Sequence, residues 1–331
     1  MDENRFTIKY VYPTQAVSVL IVVIGTLIDG IMINTFLGDI AQAAYGLTMP
    51  LTLANAALCG LISNGVQVLI GRSSGRNDQD EIDRIYTTAT VFGLILSLLI
   101  VVPVLAAPQK VAAMLGAIND EMIRMTADYI QMIVLSFPLI MVTSMFPALF
   151  TMAGRKRAPM VAAIVLCVSN IILNYLNIKV VHWGMRGMSL ATVLAYIVSY
   201  ASFMADKHMA VQRIFKFRIK AFDQHLIKNL FRYGNMYFVY KICTAAMSFA
   251  FVRKLSLMGE NYLTANAILG NVALVTEAFT SASNNTTNML CSYWIGKNVN
   301  NQDKQPKKDK QPKNDNKPKN QNNQKKGKKG K

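Results

Sequence analysis

One acidic residue lies inside a long apolar segment near the start of the sequence. Asp29 falls within residues 20–36, far from the polar ends of that segment. A charged group at the centre of a bilayer costs about 2.5–3.5 kcal/mol on insertion scales, so an ionisable residue there is a candidate functional group. Removal from water favours the neutral form of a carboxyl group, which suits proton uptake on one side and release on the other. The alternative is a structural aspartate that bonds to neighbouring helices or kinks its own helix beside Gly25 and Gly30.

Three asparagines share one face of a later apolar segment. Asn170, Asn174 and Asn177 are spaced by four and three residues, which places them along one side of an α-helix. Carboxamides in such a row either hold membrane helices together or line a polar cavity that binds a cation or a substrate. The spacing leaves both interpretations open. Thr192, in the next apolar segment, adds a hydroxyl group to the same predicted cavity.

Two further charges fall within apolar segments. Lys241 and Glu277 could neutralise each other, and we expect a structural pair, or exposed positions near an interface, more than a functional site. The four cysteines lie one to a segment without CxxC spacing, so we expect buried thiols and neither a metal site nor disulfides. Phosphate-binding loops, HExxH and GxSxG motifs are absent from the sequence, so it gives no catalytic residues, predicts no organic cofactor and does not indicate an enzyme.

The composition indicates what kind of element carries these residues. Of 331 residues, 52% are hydrophobic and 16% are charged, whereas soluble chains carry about 25% charged residues. A membrane-spanning helix needs about 20 mostly apolar residues, and long continuous runs favour helices over barrel strands. The sequence therefore predicts an all-α polytopic membrane protein with about eight transmembrane helices, at residues 13–37, 44–70, 85–107, 125–153, 158–178, 188–204, 233–257 and 263–295.

The positive charges predict the orientation and the domain boundaries. With the N-terminus in the cytoplasm, the inner loops hold 15 Lys and Arg and the outer loops 6, as the positive-inside rule requires. We expect a multi-pass protein of the cell membrane with both termini in the cytoplasm. The predicted parts are a cytoplasmic segment, a six-helix N-lobe, a cytoplasmic linker, a partial C-lobe of two helices and a disordered basic tail, at residues 1–12, 13–204, 205–232, 233–296 and 297–331. The tail, with 13 lysines and 3 aspartates, could contact anionic lipid.

An internal repeat supports the division into two lobes. Shifting the chain by 221 residues aligns residues 37–78 with residues 258–299 without a gap, and 8 of 42 positions are identical. Gly38 aligns with Gly259, and Gly75 with Gly296. The matched segments are predicted helices two and eight, six helices apart, and an even number gives both units the same orientation. This is the parallel type of repeat found in secondary transporters.

The order of several short motifs resembles the multidrug and toxic compound extrusion (MATE) family. The resemblance spans about residues 13–297 and rests on Ile28-Asp29, Phe36-Leu-Gly38, the turn at residues 153–160, Asn170-Ile-Ile-Leu-Asn174 and Gly187-Met-Ser-Leu-Ala-Thr192. It implies two six-helix lobes that open alternately to each side and exchange an organic cation for H⁺ or Na⁺.

The resemblance also implies roles for particular residues. It makes Asp29 the proton or cation site, with Asn170, Asn174 and Thr192 beside it. Asn174 stands where the family pattern has an aspartate, which argues against a two-carboxylate Na⁺ site, although Na⁺ near Asp29 remains an alternative to H⁺. The family's last four helices have no counterpart, so we expect a C-terminal truncation, and the change to a Lys/Asn/Gln-rich tail after Gly296 suggests an altered reading frame.

The sequence is compatible with three functions. The first is an ion-coupled antiporter for organic cations or drugs, impaired or intact despite the truncation, with membrane lipids and a small organic cation as partners. The second is a lipid-linked saccharide flippase, which would need a cationic lining that the apolar segments do not provide. The third is a non-transporting membrane fragment whose tail binds anionic lipid; we expect no specific nucleic acid.

Overall fold

The computed structural model describes residues 8–209 and 214–304, and in these ranges the chain forms helices without any strand. The all-α fold class is thereby confirmed. The first residues of the predicted N-terminal segment, part of the predicted linker and most of the predicted tail lie outside the described residues. Twelve α-helices follow one another in these ranges: α1 (Ile8–Leu37), α2 (Asp39–Leu47), α3 (Met49–Arg76), α4 (Gln79–Ala106), α5 (Pro108–Leu115), α6 (Asp120–Ile133), α7 (Phe137–Thr143), α8 (Phe146–Met152), α9 (Ala158–Leu176), α10 (Gly184–Met209), α11 (Gln224–Ser256) and α12 (Glu260–Lys304).

Six stretches of helix in the described ranges are long and apolar enough to cross a membrane. They are Val11–Leu37, Asp39–Arg76, Gln79–Ala106, Asp120–Met152, Ala158–Val181 and Gly184–His208. The predicted seventh and eighth segments form α11 and α12, which are long but less apolar and are not among the six, so the count of eight stays a prediction. The helix α12 continues to Lys304, past residue 297, where the sequence predicts the tail to begin. We call α1–α10 the first half and α11 with α12 the second half.

Short polar signals set the ends of these helices. The Asp78 carboxylate accepts the backbone N–H of Glu81 at 3.0 Å and so caps α4, and Asn119 caps α6 in the same way. The helix α3 ends at Asn77, whose φ of 60° lies in the left-handed region, a conformation that asparagine tolerates better than most residues. Polar residues thus mark the end of α3 and the starts of α4 and α6.

The aligned repeat has a structural counterpart. Gly38 and Gly259, which align, precede α2 and α12 with φ of 89° and 124°, a backbone region that glycine alone enters freely. Other aligned pairs touch each other directly. A methyl group added to Gly46 would meet Ala267 Cβ at 3.0 Å, and Met49 with Gly270, and Gly71 with Ser292, form the same kind of contact. Because each residue faces its own counterpart at both ends, α2–α3 and α12 run side by side in the same direction.

Two hydrogen bonds between α3 and α12 are also related by the 221-residue shift. Asn288 Nδ2 donates to Asn64 Oδ1 at 3.1 Å. Gln67, which aligns with Asn288, donates from Nε2 to Oδ1 of Asn285, which aligns with Asn64, at 3.3 Å. The second half thus contacts the first through a pseudo-twofold interface. Amides and small side chains form this interface, as is common where membrane helices pack.

The helix α11 approaches α3 through glycines. A side chain at Gly65 would meet the backbone of Leu230 at 2.7 Å, and one at Gly234 would overlap the backbone of Leu61. Since 65 pairs with 230 and 61 with 234, the two helices are antiparallel. Without side chains at the crossing, the backbones come close enough for dispersion contacts to hold them together, which is the main attraction between helices in lipid.

The described part of the connection between the halves is bound to α4. Backbone N–H groups of Lys216 and Arg218 donate to Asp83 Oδ1 at 2.7 Å and to Thr87 Oγ1 at 3.1 Å. Phe215 is buried, and its ring lies 5.6 Å from that of Phe146, centroid to centroid. The predicted linker is therefore attached to the first half in its described residues. The sequence gives no sign of this, because the anchoring groups on α4 look like ordinary polar residues of a helix start.

We expect the glycine contact between α11 and α3 to be sensitive to side-chain volume. Gly234→Val should lower the stability of the purified protein by about 1–3 kcal/mol, because overpacking displaces a backbone that cannot easily move. The matched control is Asn235→Val, at an exposed position on the same helix, which should stay within about 0.5 kcal/mol. Thermal melting in detergent measures both, and equal melting temperatures for the two variants would contradict the close approach.

Candidate functional site

The helix α1 lies at the border between the two halves and carries Asp29 on the face toward α9. It packs against α9 on one side and α12 on another. A methyl group added to Gly25 would meet Cys167 Sγ of α9 at 3.4 Å, so the two helices are close at this level. Asp29 follows four residues later, one turn along the same face. The described α1 is one continuous helix, and Gly25 serves close packing there.

The structure brings together the four residues that the sequence and the resemblance single out. Asn174 Nδ2 donates to Asp29 Oδ1 at 2.7 Å and to Asn170 Oδ1 at 3.2 Å. Asn170 Nδ2 in turn donates to Thr192 Oγ1 at 3.1 Å. Three helices, α1, α9 and α10, therefore contribute to one chain of hydrogen bonds, which we call the Asp29 network. Asn170 and Asn174 are buried, where polar groups without partners are costly.

The amide of Asn170 can serve the network in two orientations. As described above, its oxygen faces Asp29 and its nitrogen faces Thr192. With the amide turned, its nitrogen donates to Asp29 Oδ1 at 2.5 Å and to Oδ2 at 3.2 Å, and its oxygen accepts from Thr192 Oγ1 at 3.1 Å. A hydroxyl both donates and accepts, so Thr192 satisfies either orientation. The first arrangement suits a protonated Asp29 that donates to Asn170, and the second suits an ionised one that accepts.

Four further titratable groups surround Asp29 closely enough to interact with its charge. They are Tyr45 of α2, Tyr129 of α6, Cys167 of α9 and Tyr196 of α10. Tyr45 and Tyr129 also pack edge to face, with ring centroids 5.5 Å apart. Sequence reasoning missed the tyrosines because they lie on separate helices with no shared spacing. The one signal for them is a phenol within an apolar segment, and that signal does not say which tyrosines meet.

The donors around Asp29 bear on which ion it can bind. Sodium needs several oxygen atoms directed at one point, whereas Asn174 directs its N–H group at the carboxylate. The Asn174 oxygen is buried and has no hydrogen-bond partner in the described part of the chain. No group of three or more His, Cys, Asp or Glu that could hold a metal ion occurs among the described residues. In the first orientation of Asn170, the described side chains thus give Asp29 one amide N–H donor, that of Asn174.

Asn177, the third asparagine of the row, does not join the Asp29 network. Its side chain donates from Nδ2 to the Gly184 carbonyl oxygen at 3.1 Å and accepts the Trp183 backbone N–H at 3.1 Å. It lies in a short π-helical turn, Asn177–Val181, at the end of α9. Asn177 therefore holds the connection between α9 and α10, while the other two asparagines of the same face reach Asp29.

The remaining two charges lie apart from this network, on α11 and α12. The Lys241 ammonium group bonds to Glu277 Oε1. Lys241 is 3% exposed. Of the two expectations for these residues, the structure therefore has the charged pair, and the lysine is not at an exposed position.

Comparison with known proteins finds similarity to one family. The MatE family model matches residues 15–176, which include Asp29, Asn170 and Asn174. The multidrug export protein MepA of Staphylococcus aureus (strain NCTC 8325 / PS 47) is 27% identical over 275 residues, covering 71% of this chain and 59% of that protein. MepA of Staphylococcus saprophyticus is 26% identical over 193 residues, covering 58% of this chain and 42% of that protein. The chain thus spans about half the length of these curated relatives.

Solved structures have the same fold. The MATE multidrug transporter DinF-BH, solved as a complex, superposes with a TM-score of 0.77 at 17% identity, covering 88% of this chain and 65% of that one. An inward-facing MATE family transporter of the MOP superfamily gives a TM-score of 0.64 at 20% identity, covering 82% and 65%. At these identities the likeness concerns the fold.

We expect Asn177 to contribute to stability through the α9–α10 connection. Asn177→Ala should destabilise the protein by about 1–3 kcal/mol, because two hydrogen bonds, each worth about 0.5–1.5 kcal/mol, are lost. Val180→Ala, at a position 68% exposed in the same turn, is the control and should change stability little. Thermal melting of the purified variants measures the difference; if the two melted together, Asn177 would not hold the connection.

Proposed function

Because the chain belongs to the MATE family of transporters, we propose that it exports organic cations or drugs in exchange for protons bound at Asp29. The described helices make it a multi-pass membrane protein. We propose further that it resides in the cell membrane with both termini in the cytoplasm, as the excess of basic residues in the predicted inner loops indicates. This proposal includes alternating access, the coupling ion and the class of substrate. It treats the chain as a transporter and not as an enzyme.

The observation that carries the proposal is the Asp29 network. A carboxyl group on α1 contacts two amides of α9, and these reach a hydroxyl of α10, so a change in its protonation changes hydrogen bonds on three helices. The Asn174 N–H group stabilises the ionised carboxylate. When Asp29 takes up a proton, its O–H needs an acceptor, and the Asn170 oxygen lies in position to be one.

The position of α1 gives this local change a wider effect. The helix packs against α9 of the first half and against α12 of the second. A shift of α1 relative to α9 therefore also alters the contact between the halves. Protonation biases the protein between two packings in this scheme, and an organic cation that prefers the ionised form of Asp29 competes with the proton. Mutually exclusive occupancy of this kind is what antiport requires.

The surroundings of Asp29 support protons over sodium and an exporter over a flippase. The named groups near Asp29 are amides, phenols, a thiol and a hydroxyl, and none of them is a second carboxylate. A flippase for lipid-linked saccharides would need cationic groups to bind a pyrophosphate, and these groups supply none. The predicted contact of the tail with anionic lipid stays a prediction, since residues 305–331 lie outside the described ones.

The direct test removes the titratable oxygen without changing the size of the side chain. In everted vesicles, an exporter driven by an acidic lumen carries its cation into that lumen. Asp29→Asn should reduce this efflux activity, measured with ethidium, to the level of vesicles that lack the protein. Asp120→Asn, which alters an exposed carboxylate at the start of α6, should leave efflux unchanged. Undiminished efflux by Asp29→Asn, with the variant present at the wild-type amount, would rule out the proposed role of Asp29.

A second substitution tests the choice of ion. Asn174→Asp places two carboxylates within hydrogen-bond distance, and like charges so close cannot both ionise unless a cation joins them. We therefore expect Na⁺ to raise the melting temperature of Asn174→Asp, relative to K⁺ at equal ionic strength, and to leave the wild type unchanged. Stabilisation of the wild type by Na⁺ to the same extent would contradict proton coupling.

A further inference from the structure

The ion pair of the second half has the composition of an organic-cation site. The ammonium group of Lys241 contacts the carboxylate of Glu277 and lies 5.8 Å and 5.6 Å from the ring centroids of Tyr237 and Tyr240. A carboxylate and two aromatic faces around a positive charge are the groups by which proteins recognise ammonium and other organic cations. Here the cation they surround belongs to the protein itself. We call these four residues the Lys241 box.

The two charged groups of the Lys241 box differ in exposure. The Lys241 side chain is 4% exposed and that of Glu277 is 36% exposed. Tyr240, at 57%, is open as well. The carboxylate and one aromatic wall therefore face outward, and the lysine approaches them from the protein side.

The other aromatic wall is fixed by the first half. A side chain on Gly60 of α3 would overlap the ring of Tyr237, so this ring lies directly against the α3 backbone. Tyr237 is thus held by α3 while Glu277 belongs to α12, and the box is assembled from groups whose spacing depends on how α11 and α12 pack on α3. An ion pair within a membrane protein is expensive to maintain.

We propose that Glu277, with Tyr237 and Tyr240, forms a binding site for a lipophilic organic cation, which Lys241 occupies as a tethered competitor when that cation is absent. The proposal rests on the proposed function for the class of ligand. It assigns the lysine a regulatory part: by holding Glu277 itself, Lys241 keeps the carboxylate neutralised between binding events and weakens the retention of bound cation. The Asp29 network is not part of the site.

The test compares variants that remove the competitor, the site or both. Tetraphenylphosphonium binding to purified protein in detergent is measured at fixed pH for wild type, Lys241→Met, Glu277→Gln and the double variant. Methionine keeps the length and the apolar stem of lysine. We expect Lys241→Met to bind about tenfold more tightly, equivalent to about 1.4 kcal/mol, and the double variant to lose this gain. Triphenylphosphine oxide, an uncharged analogue, should show no gain in any variant.

A second measurement, of melting temperature, covers the case in which breaking the ion pair harms folding. Lys241→Met leaves a carboxylate without its partner and should melt at a lower temperature than the wild type, and tetraphenylphosphonium should restore it more than it does the double variant. Equal affinity and equal stabilisation in Lys241→Met and the double variant would overturn the proposal. The binding gain should persist when Asp29→Asn is added, so a failure of proton coupling and a failure of this site give different results.

Discussion

A carboxyl group inside an apolar bundle must have hydrogen-bond partners from other helices, and Asp29 meets this requirement through Asn174. In lipid no water is at hand to replace a lost partner, so the bond between α1 and α9 is both a structural contact and a condition for any change in charge. Asn170 extends it to Thr192 on α10, and its amide suits either form of Asp29 by turning. The proposed transport cycle depends on this property, since the Asn170 amide can accept from a protonated Asp29 in one orientation and donate to an ionised one in the other.

The packing around α3 determines how such a change reaches the second half. Gly65 and Gly234 bring α3 and α11 into backbone contact, and Gly71 and Ser292 do so for α3 and α12. Small residues of this kind allow membrane helices to approach closely without the hydrophobic effect that holds soluble cores together. Because contacts between backbones leave little slack, a shift of α1 against α12 is expected to strain the contact of α12 with α3.

The helical class and the core of the Asp29 network could be predicted from the sequence, whereas contacts between distant helices could not. Long apolar runs predicted the helical class, and Asp29 stood out because a charge in such a run is rare. The spacing of Asn170 and Asn174 predicted a shared face, and the family resemblance placed Thr192 beside them. No spacing rule predicted that Asn177, on that same face, would turn to the α9–α10 connection. Nor did any predict that Tyr45 and Tyr129 would gather near Asp29, because contacts between distant helices depend on packing. The sequence did not predict that α12 continues to Lys304, because residues 297–304 are polar and resemble the rest of the tail.

The central claim is that one proton at Asp29 and one organic cation exclude each other, and proton release on binding tests it most directly. Purified protein in weakly buffered detergent solution would receive saturating tetraphenylphosphonium while a pH indicator counts the protons released. The account predicts release in the wild type, at a pH where Asp29 is largely protonated, and none from Asp29→Asn. Equal release from both proteins, or binding to the wild type without release across the whole accessible pH range, would contradict it.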